Sequence, residues 1–142
     1  MLAGDTTVVL DGHFLEKPGD AAEATRMLEL LSGRTHEVLT ALAIVSPSSG
    51  PGGGSTLFSR VDRTGVTFRG LSTLEIADYV ASGEPMDKAG AYGIQGVAGA
   101  FVAGIDGDYF TVVGLSLHGV VALLVEAGWV WRPGGDPVLT RG

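Results

Sequence analysis

The sequence has 142 residues, of which 45% are apolar, and this is enough to bury the core of one domain but not of two. It contains no cysteine, which excludes disulfide bonds, thiolate metal sites and a cysteine nucleophile. The formal net charge of −7 argues against a nucleic-acid-binding surface, because such a surface needs clustered lysine and arginine. A small phosphate ligand remains compatible with this charge, since a few cations and a divalent metal can hold one.

The sequence predicts neither a membrane-spanning helix nor an export signal. No run of eighteen or more uncharged apolar residues occurs, and the most apolar stretch, residues 120–125, is followed directly by Glu126. The first residues lack the basic and apolar regions of a secretory signal. We therefore expect a cytoplasmic protein that does not contact a membrane.

The first third of the chain predicts a strand followed by a helix. Residues 6–10 are β-branched or apolar and precede an Asp-Gly pair, which indicates a buried strand that enters a tight turn. Asp20 and Glu23 resemble a capping box, and apolar side chains then recur at helical spacing until a Ser-Gly pair ends the helix at position 33. One face of this helix must be buried.

The middle of the chain predicts a β-hairpin. Residues 37–45 carry few polar side chains, as in a strand whose sheet is covered on both faces, and residues 56–61 and 65–68 read as further strand. Residues 46–54 consist only of Ser, Pro and Gly, which indicates a mobile surface loop at the hairpin tip. This loop is not a phosphate-binding P-loop, because it lacks the Gly-Lys-Ser/Thr ending and no helix follows it.

A second helix and an irregular segment come next. Ser72 with Glu75 forms a capping box, and the helix that it starts ends at Gly83. Residues 84–96 are rich in glycine and polar side chains, too irregular for one regular element. Segments of this kind usually carry function, so we expect part of a binding site here.

The end of the chain predicts a strand at residues 100–105 and a last helix that Ser116 caps. Alternating strands and helices indicate a single α/β domain over residues 1–142, and the hairpin favours a mixed, twisted sheet flanked by helices. Residues 129–142 are expected to form a loosely held tail.

Three segments in this order resemble the Maf family of nucleoside triphosphate pyrophosphatases. They are Asp5-Thr6, Lys17-Pro18 and the run Asp-Lys-Ala-Gly-Ala-Tyr-Gly-Ile-Gln-Gly at residues 87–96. The long run is highly specific, whereas either dipeptide alone would mean nothing. The resemblance implies hydrolysis between the α and β phosphorus atoms, which gives a monophosphate and pyrophosphate, on a fold similar to the inosine-triphosphate pyrophosphatases (Maf/Ham1).

The resemblance also implies roles for individual residues. Asp5 matches the proton acceptor, and Lys17 and Lys88 would neutralise charge on the phosphates. Thr6 and Gln95 match positions that select the base, and the Ile-Gln-Gly sequence resembles the subgroup that acts on thymidine and uridine triphosphates. The expected partner is thus a pyrimidine nucleoside triphosphate, and a homodimer is plausible for this family.

A divalent cation, Mg²⁺ or Mn²⁺, is the cofactor that the resemblance implies. Asp5 and Asp87 are its candidate ligands, since hard ions prefer oxygen donors and bridge phosphates to carboxylates. The three histidines have no ligand spacing, and we assign them no metal role: His13, His36 and His118.

Each candidate also has an explanation that involves no chemistry. Asp5 could be a cap or turn residue, and Lys17 a solvated loop lysine. Lys88 could pair with a neighbouring carboxylate at the surface, and Gln95 could satisfy backbone groups of its own loop. Only the resemblance favours the functional interpretation.

The sequence departs from the family at its start. Members begin with a strand, a Ser- and Arg-rich phosphate-binding loop and a helix, which have no counterpart before the strand that follows Asp5. We therefore expect a fold that lacks this first strand and helix. Two hypotheses follow. The first is that the sequence is a fragment, or has a misassigned start, and that the full protein is a working pyrophosphatase. The second is a catalytically inactive module that binds nucleotide or dimerises.

Overall fold

The structure is a computed structural model that describes residues 1–48 and 50–134, and the backbone of residues 138–141. The strands are β1 (Leu2–Leu10), β2 (His13–Leu15), β3 (Thr35–Pro47), β4 (Ser55–Phe68), β5 (Val102–Asp106), β6 (Trp129–Arg132) and β7 (Val138–Arg141). The α-helices are α1 (Ala21–Leu31), α2 (Thr73–Ala81), α3 (Tyr109–Val113) and α4 (Leu117–Glu126). Three short 3-10 helices cover Glu84–Asp87, Ala89–Ala91 and Val97–Phe101.

The centre of the molecule is a five-stranded sheet in the order β2-β1-β3-β4-β5, as expected for an α/β domain built on a sheet with helices packed against it. Strand direction differs from the prediction of a mixed sheet, because all four pairings within this sheet are antiparallel. Two of these pairings follow from short connections: β1 turns into β2 at Asp11-Gly12, and β3 returns as β4 after residues 48–54. Short hairpin connections can join only antiparallel neighbours.

The helices cover one face of the sheet. Side chains along β3 alternate between buried and more exposed positions, and the even-numbered ones face the core. On the opposite face Leu57 and Val61 of β4 are 64% and 57% exposed. The prediction that this sheet is covered on both faces is therefore wrong for the described residues, because an unbroken apolar run does not reveal which face lacks a neighbour.

The main core lies between the inner face of the sheet and helices α1 and α2. Leu28 and Leu31 of α1 are fully buried there together with Phe68 of β4. A smaller cluster forms under α4 around Leu42 and Leu123. Burial of this kind stabilises the fold by about 1.5–3 kcal/mol per large apolar side chain.

The predicted helix starts are confirmed. Asp20 caps α1 by accepting a hydrogen bond from the Glu23 N–H, while the Glu23 carboxylate accepts from the N–H of Gly19. Ser72 and Glu75 form a reciprocal capping box at α2. Ser116 caps α4 by accepting from the Gly119 N–H.

The predicted hairpin is also present. The backbone N–H of Ser48 donates to the carbonyl of Gly54 at 2.8 Å and closes the connecting loop, of which Ser49 lies outside the described residues. The strand expected at residues 100–105 begins slightly later, at Val102, because residues 97–101 form a 3-10 turn.

The end of the chain forms a second, two-stranded sheet. Strand β6 pairs with β7 in antiparallel fashion and contacts α4. Residues 135–137 and 142 of the expected tail lie outside the described residues, and the loose attachment of this segment stays a prediction. In the part of the chain that is described, every helix is too short or too polar to cross a membrane.

Candidate active site

A cleft of about 320 Å³ opens between β1 and the segment that follows α2. It is lined by all six residues that the sequence singled out: Asp5, Thr6, Lys17, Asp87, Lys88 and Gln95. Tyr92 and Ile94 of that segment also line it, and apolar side chains from β1, β3 and α3 form another part of the wall: Val8, Val38, Val112 and Val113. Segments that are far apart in the sequence therefore meet at one concave site, as ligand sites usually require.

Asp5 lies on a part of β1 that has no neighbouring strand on one side. Strand β2 pairs only with residues 8–10 of β1, so the edge along residues 2–7 is unpaired in the described chain. The exposed Asp5 carboxylate accepts a hydrogen bond from the N–H of Thr6 at 2.9 Å and from no other described residue. Asp5 is inside a strand and is not a cap or turn residue, and one of its oxygens can bind water, a cation or a substrate group.

Thr6 is held by a chain of hydroxyl groups. Its Oγ1 lies 3.0 Å from Oγ1 of Thr40 on the neighbouring strand. Thr40 is fully buried and donates its own proton to the carbonyl of Thr111 at 2.7 Å. Thr6 must therefore donate to Thr40, which leaves the Thr6 oxygen as an acceptor at the cleft.

Lys88 is fixed by two hydrogen bonds. Its Nζ donates to the Glu84 carbonyl at 2.9 Å and to the Asp87 carboxylate at 2.8 Å. The pKa of Asp87 is lowered, mainly because Lys88 donates to its carboxylate, with a smaller contribution from the charge of Lys17. The alternative explanation of Lys88, a pair with a neighbouring carboxylate, is therefore present in the structure. The same contacts hold the Lys88 ammonium group at the cleft.

Residues 88–96 follow β1 closely. Gly90 adopts φ +70°, and a Cβ there would lie 2.9 Å from Val8 Cγ2, so only glycine fits. The Gly90 N–H donates to the carbonyl of Glu16 at 3.2 Å, which joins this segment to the connection that carries Lys17. This bond brings the backbone next to Lys17 close to the segment that carries Lys88.

Gln95 is exposed at the rim of the cleft. Its side-chain amide makes no hydrogen bond with any residue in the described ranges, so it does not satisfy backbone groups of its own loop. An amide both donates and accepts, and here both functions remain available to a ligand.

The donor set of the cleft fits a cation that is shared with a phosphate. In the described parts of the chain, no group of three or more His, Asp or Glu side chains is placed to hold a metal by itself. Mg²⁺, however, is commonly bound through one or two carboxylates together with water and substrate phosphates. Asp5 and Asp87 line the same cleft and can supply this pair.

Sequence reasoning missed two residues that shape the site. Thr40 lies within a strand pattern that is mainly apolar, and Tyr92 lies within the run at residues 87–96, where the resemblance gives it no role of its own. A threonine at a position where the strand buries its side chain is a signal in itself, because a buried hydroxyl needs a partner. The role of Tyr92 depends on a contact of its hydroxyl with His36 on β3, 56 positions away, which no local pattern in the sequence predicts.

Known proteins resemble this chain over most of its length. A curated dTTP/UTP pyrophosphatase of Salmonella typhimurium is 55% identical over 124 residues, which are 87% of this chain and 59% of that protein. Two proteins of the same name match as well. The protein from Shewanella denitrificans is 54% identical over 124 residues, which are 87% of this chain and 59% of that protein. The protein from Moorella thermoacetica is 53% identical over 128 residues, which are 90% of this chain and 63% of that protein. The chain thus spans about three-fifths of the length of these relatives.

The family model described as Maf-like protein matches residues 1–127. This range includes β1 to α4 and every residue that lines the cleft. The chain therefore belongs to the Maf-like protein family.

Proposed function

We propose that the cleft is the nucleotide site of a pyrophosphatase that converts dTTP or UTP to its monophosphate and pyrophosphate. The observation that carries the proposal is the meeting of a free carboxylate, two lysines and an unpaired amide in one cleft. The relatives named dTTP/UTP pyrophosphatase, about half identical in sequence, support the same reaction and substrates.

Asp5 is the residue best placed to act on water. General-base catalysis needs a carboxylate that can accept a proton next to the phosphorus atom that is attacked. The position of Asp5 at an unpaired strand edge keeps its second oxygen open to such a water, while the Thr6 N–H fixes the first.

Lys17 and Lys88 would neutralise the phosphate oxygens as charge develops on them. Phosphoryl transfer depends mainly on positioning and on fixed positive charge, and each charge-assisted hydrogen bond contributes about 1.5–3 kcal/mol. Lys88 is already oriented by Glu84 and Asp87, so its ammonium group loses little freedom when a phosphate binds.

Base selection would fall to Gln95 and Thr6. Thymine and uracil present an N–H donor between two carbonyl acceptors, and a carboxamide can pair with one donor and one acceptor of this edge. The Thr6 oxygen adds an acceptor whose orientation the Thr40 hydroxyl fixes.

Mg²⁺ or Mn²⁺ would be held by Asp5 and Asp87 together with the phosphates. When bound, the cation would neutralise phosphate charge and polarise the scissile bond. The protein residues hold their places independently of it, because Asp87 is paired with Lys88 and Asp5 with a backbone N–H.

A nucleotide-binding module without turnover is the second candidate. Lys17 and Lys88 are the only cations among the described residues that line the cleft, and the chain spans about three-fifths of its relatives' length. Two lysines balance only part of a triphosphate's charge. Dimerisation of such a module remains a prediction.

The test measures binding and pyrophosphate release in parallel. dTTP, UTP, dCTP and dGTP are titrated with Mg²⁺ against the chain and against an Asp5→Asn variant. Turnover of dTTP and UTP that Asp5→Asn abolishes supports the enzyme, and binding of both nucleotides without turnover supports the module. Absence of any binding would refute both.

A further inference from the structure

We propose that His36 is a positioning residue for the cleft: its hydrogen bond to the Tyr92 hydroxyl fixes the segment that carries Lys88 and Gln95. The proposal rests on the proposed function, since it concerns how that site is held in shape. His36 itself does not line the cleft.

The contact is short and buried. Nε2 of His36 lies 2.7 Å from the Tyr92 hydroxyl, and the two residues are only 2% and 6% exposed. Phe68 completes a group of three rings that meet edge to face, with its centroid 5.1 Å from His36 and 4.7 Å from Tyr92. Such packing restricts the Tyr92 ring, and the hydroxyl has a single partner within the described chain.

The segment needs such a contact because its backbone is poorly held by itself. Ala91 adopts φ +63°, which is unfavourable for a residue with a side chain. Most of the backbone bonds here are local, such as Ala91 N–H to the Lys88 carbonyl and Gly96 N–H to the Gly93 carbonyl. Tyr92 is the one aromatic side chain between Lys88 and Gln95, and it enters the core directly after Ala91.

His36 is not the residue that core packing alone would favour. Its Nδ1 is buried without a partner among the described residues, and a buried polar atom in this state lowers stability. Burial also lowers the pKa of His36 to about 4, so the ring is neutral at pH 7 and has a single N–H. A leucine would fill the space without this penalty, and what the imidazole adds is the bond to Tyr92.

Three variants test the proposal. Tyr92→Phe removes only the hydroxyl, and His36→Leu removes the imidazole without touching the cleft wall. His36→Gln keeps a polar atom at about the reach of Nε2. Ser32→Ala is the matched control, because it deletes one partly buried hydrogen bond, to the Leu71 N–H, far from the cleft.

Two measurements are made on each variant. Amide resonances of Lys88 and Gln95 in the free chain report the segment directly, and titration with dTTP and Mg²⁺ gives the dissociation constant. We expect Tyr92→Phe and His36→Leu each to shift or broaden both resonances and to weaken dTTP binding about tenfold. The double variant should be no worse than either single one, and His36→Gln should recover most of the affinity.

The outcomes separate this proposal from the proposed function. If Tyr92→Phe matches the wild type in resonances and affinity, the positioning role is refuted while the nucleotide site stands. If dTTP binds to no variant and not to the wild type, the proposed function fails, and the resonances of the free chain still decide the positioning role. Should His36→Leu fail to fold, Tyr92→Phe alone decides.

Discussion

Two buried polar side chains on the inner face of the sheet each have one atom without a partner among the described residues, and their surroundings differ. His36 on β3 lies under the cleft and is neutral, whereas Asp62 on β4 lies under α4 and forms an ion pair with Arg60 at 2.6 Å. Both Arg60 bonds reach Oδ1 of Asp62, and Oδ2 faces the first turn of α4 at Gly119. The first turn of a helix is its positive end, which favours a negative charge at this place.

The difference separates two parts of the domain. Near the cleft, polar groups such as the Asp5 carboxylate and the Gln95 amide remain open to solvent and ligand. Under α4, the Asp62 carboxylate is buried and contacts neighbouring parts of the domain, not a ligand site. Substitutions near the cleft should therefore change binding or turnover more than stability, and substitutions under α4 should do the reverse.

The largest effect is expected for Asp5→Asn. An amide cannot accept the proton, so the rate of dTTP hydrolysis should fall about 10²–10⁴-fold in a preparation that has activity. The unfolding free energy should change by less than about 0.5 kcal/mol, because the side chain is exposed. Asp106→Asn, on the exposed β5, is the control. Equal loss of activity in both variants would contradict a special role for Asp5.

Gly119→Ala should destabilise the domain by about 3 kcal/mol, since its Cβ would collide with the buried Asp62 carboxylate. Urea unfolding measures this, with Gly104→Ala as a control where a Cβ meets nothing within 4 Å. Folded Gly119→Ala should bind dTTP with wild-type affinity. If Gly119→Ala changed the affinity for dTTP but not the free energy of unfolding, the distinction between the two parts of the domain would be wrong.

Lower pH should weaken the domain through His36. The pKa of His36 is about 4 in the folded state against 6.5 for the unfolded chain, so between these values the unfolded chain binds more protons. The unfolding free energy should be fully retained above pH 6.5 and fall by about 3 kcal/mol on reaching pH 4. Unfolding curves of wild type and His36→Gln across this range isolate the contribution. If the unfolding free energies of wild type and His36→Gln fall by the same amount between pH 6.5 and pH 4, His36 does not titrate in this way.

Lys88→Met should have the smallest effect, a roughly tenfold weaker binding of dTTP, because one charge-assisted contact to phosphate is lost. Arg26→Met removes an equal charge from the exposed surface of α1 and should leave binding unchanged. If both variants lose affinity equally, general electrostatic attraction, and not a phosphate contact, would explain the loss.

Local signals in the sequence sufficed for much of this structure. The caps at Asp20, Ser72 and Ser116 were predictable, because a capping side chain bonds to an N–H only three residues further on. The hairpin between β3 and β4 followed equally from a turn-forming run between two apolar segments. The candidate site residues were also named from the sequence, although only through a family resemblance, and their roles stay predictions.

Tertiary structure alone decided which face of the sheet is covered and what surrounds each polar group. The bond between His36 and Tyr92 joins residues 56 positions apart, and that between Thr40 and Thr111 joins residues 71 apart. Thr40 lies opposite Thr6 only in the observed register of β1 and β3, and a slip of one residue would turn it to the other face. Composition and spacing report on neighbours within one turn or one hairpin, whereas these contacts depend on how distant elements pack.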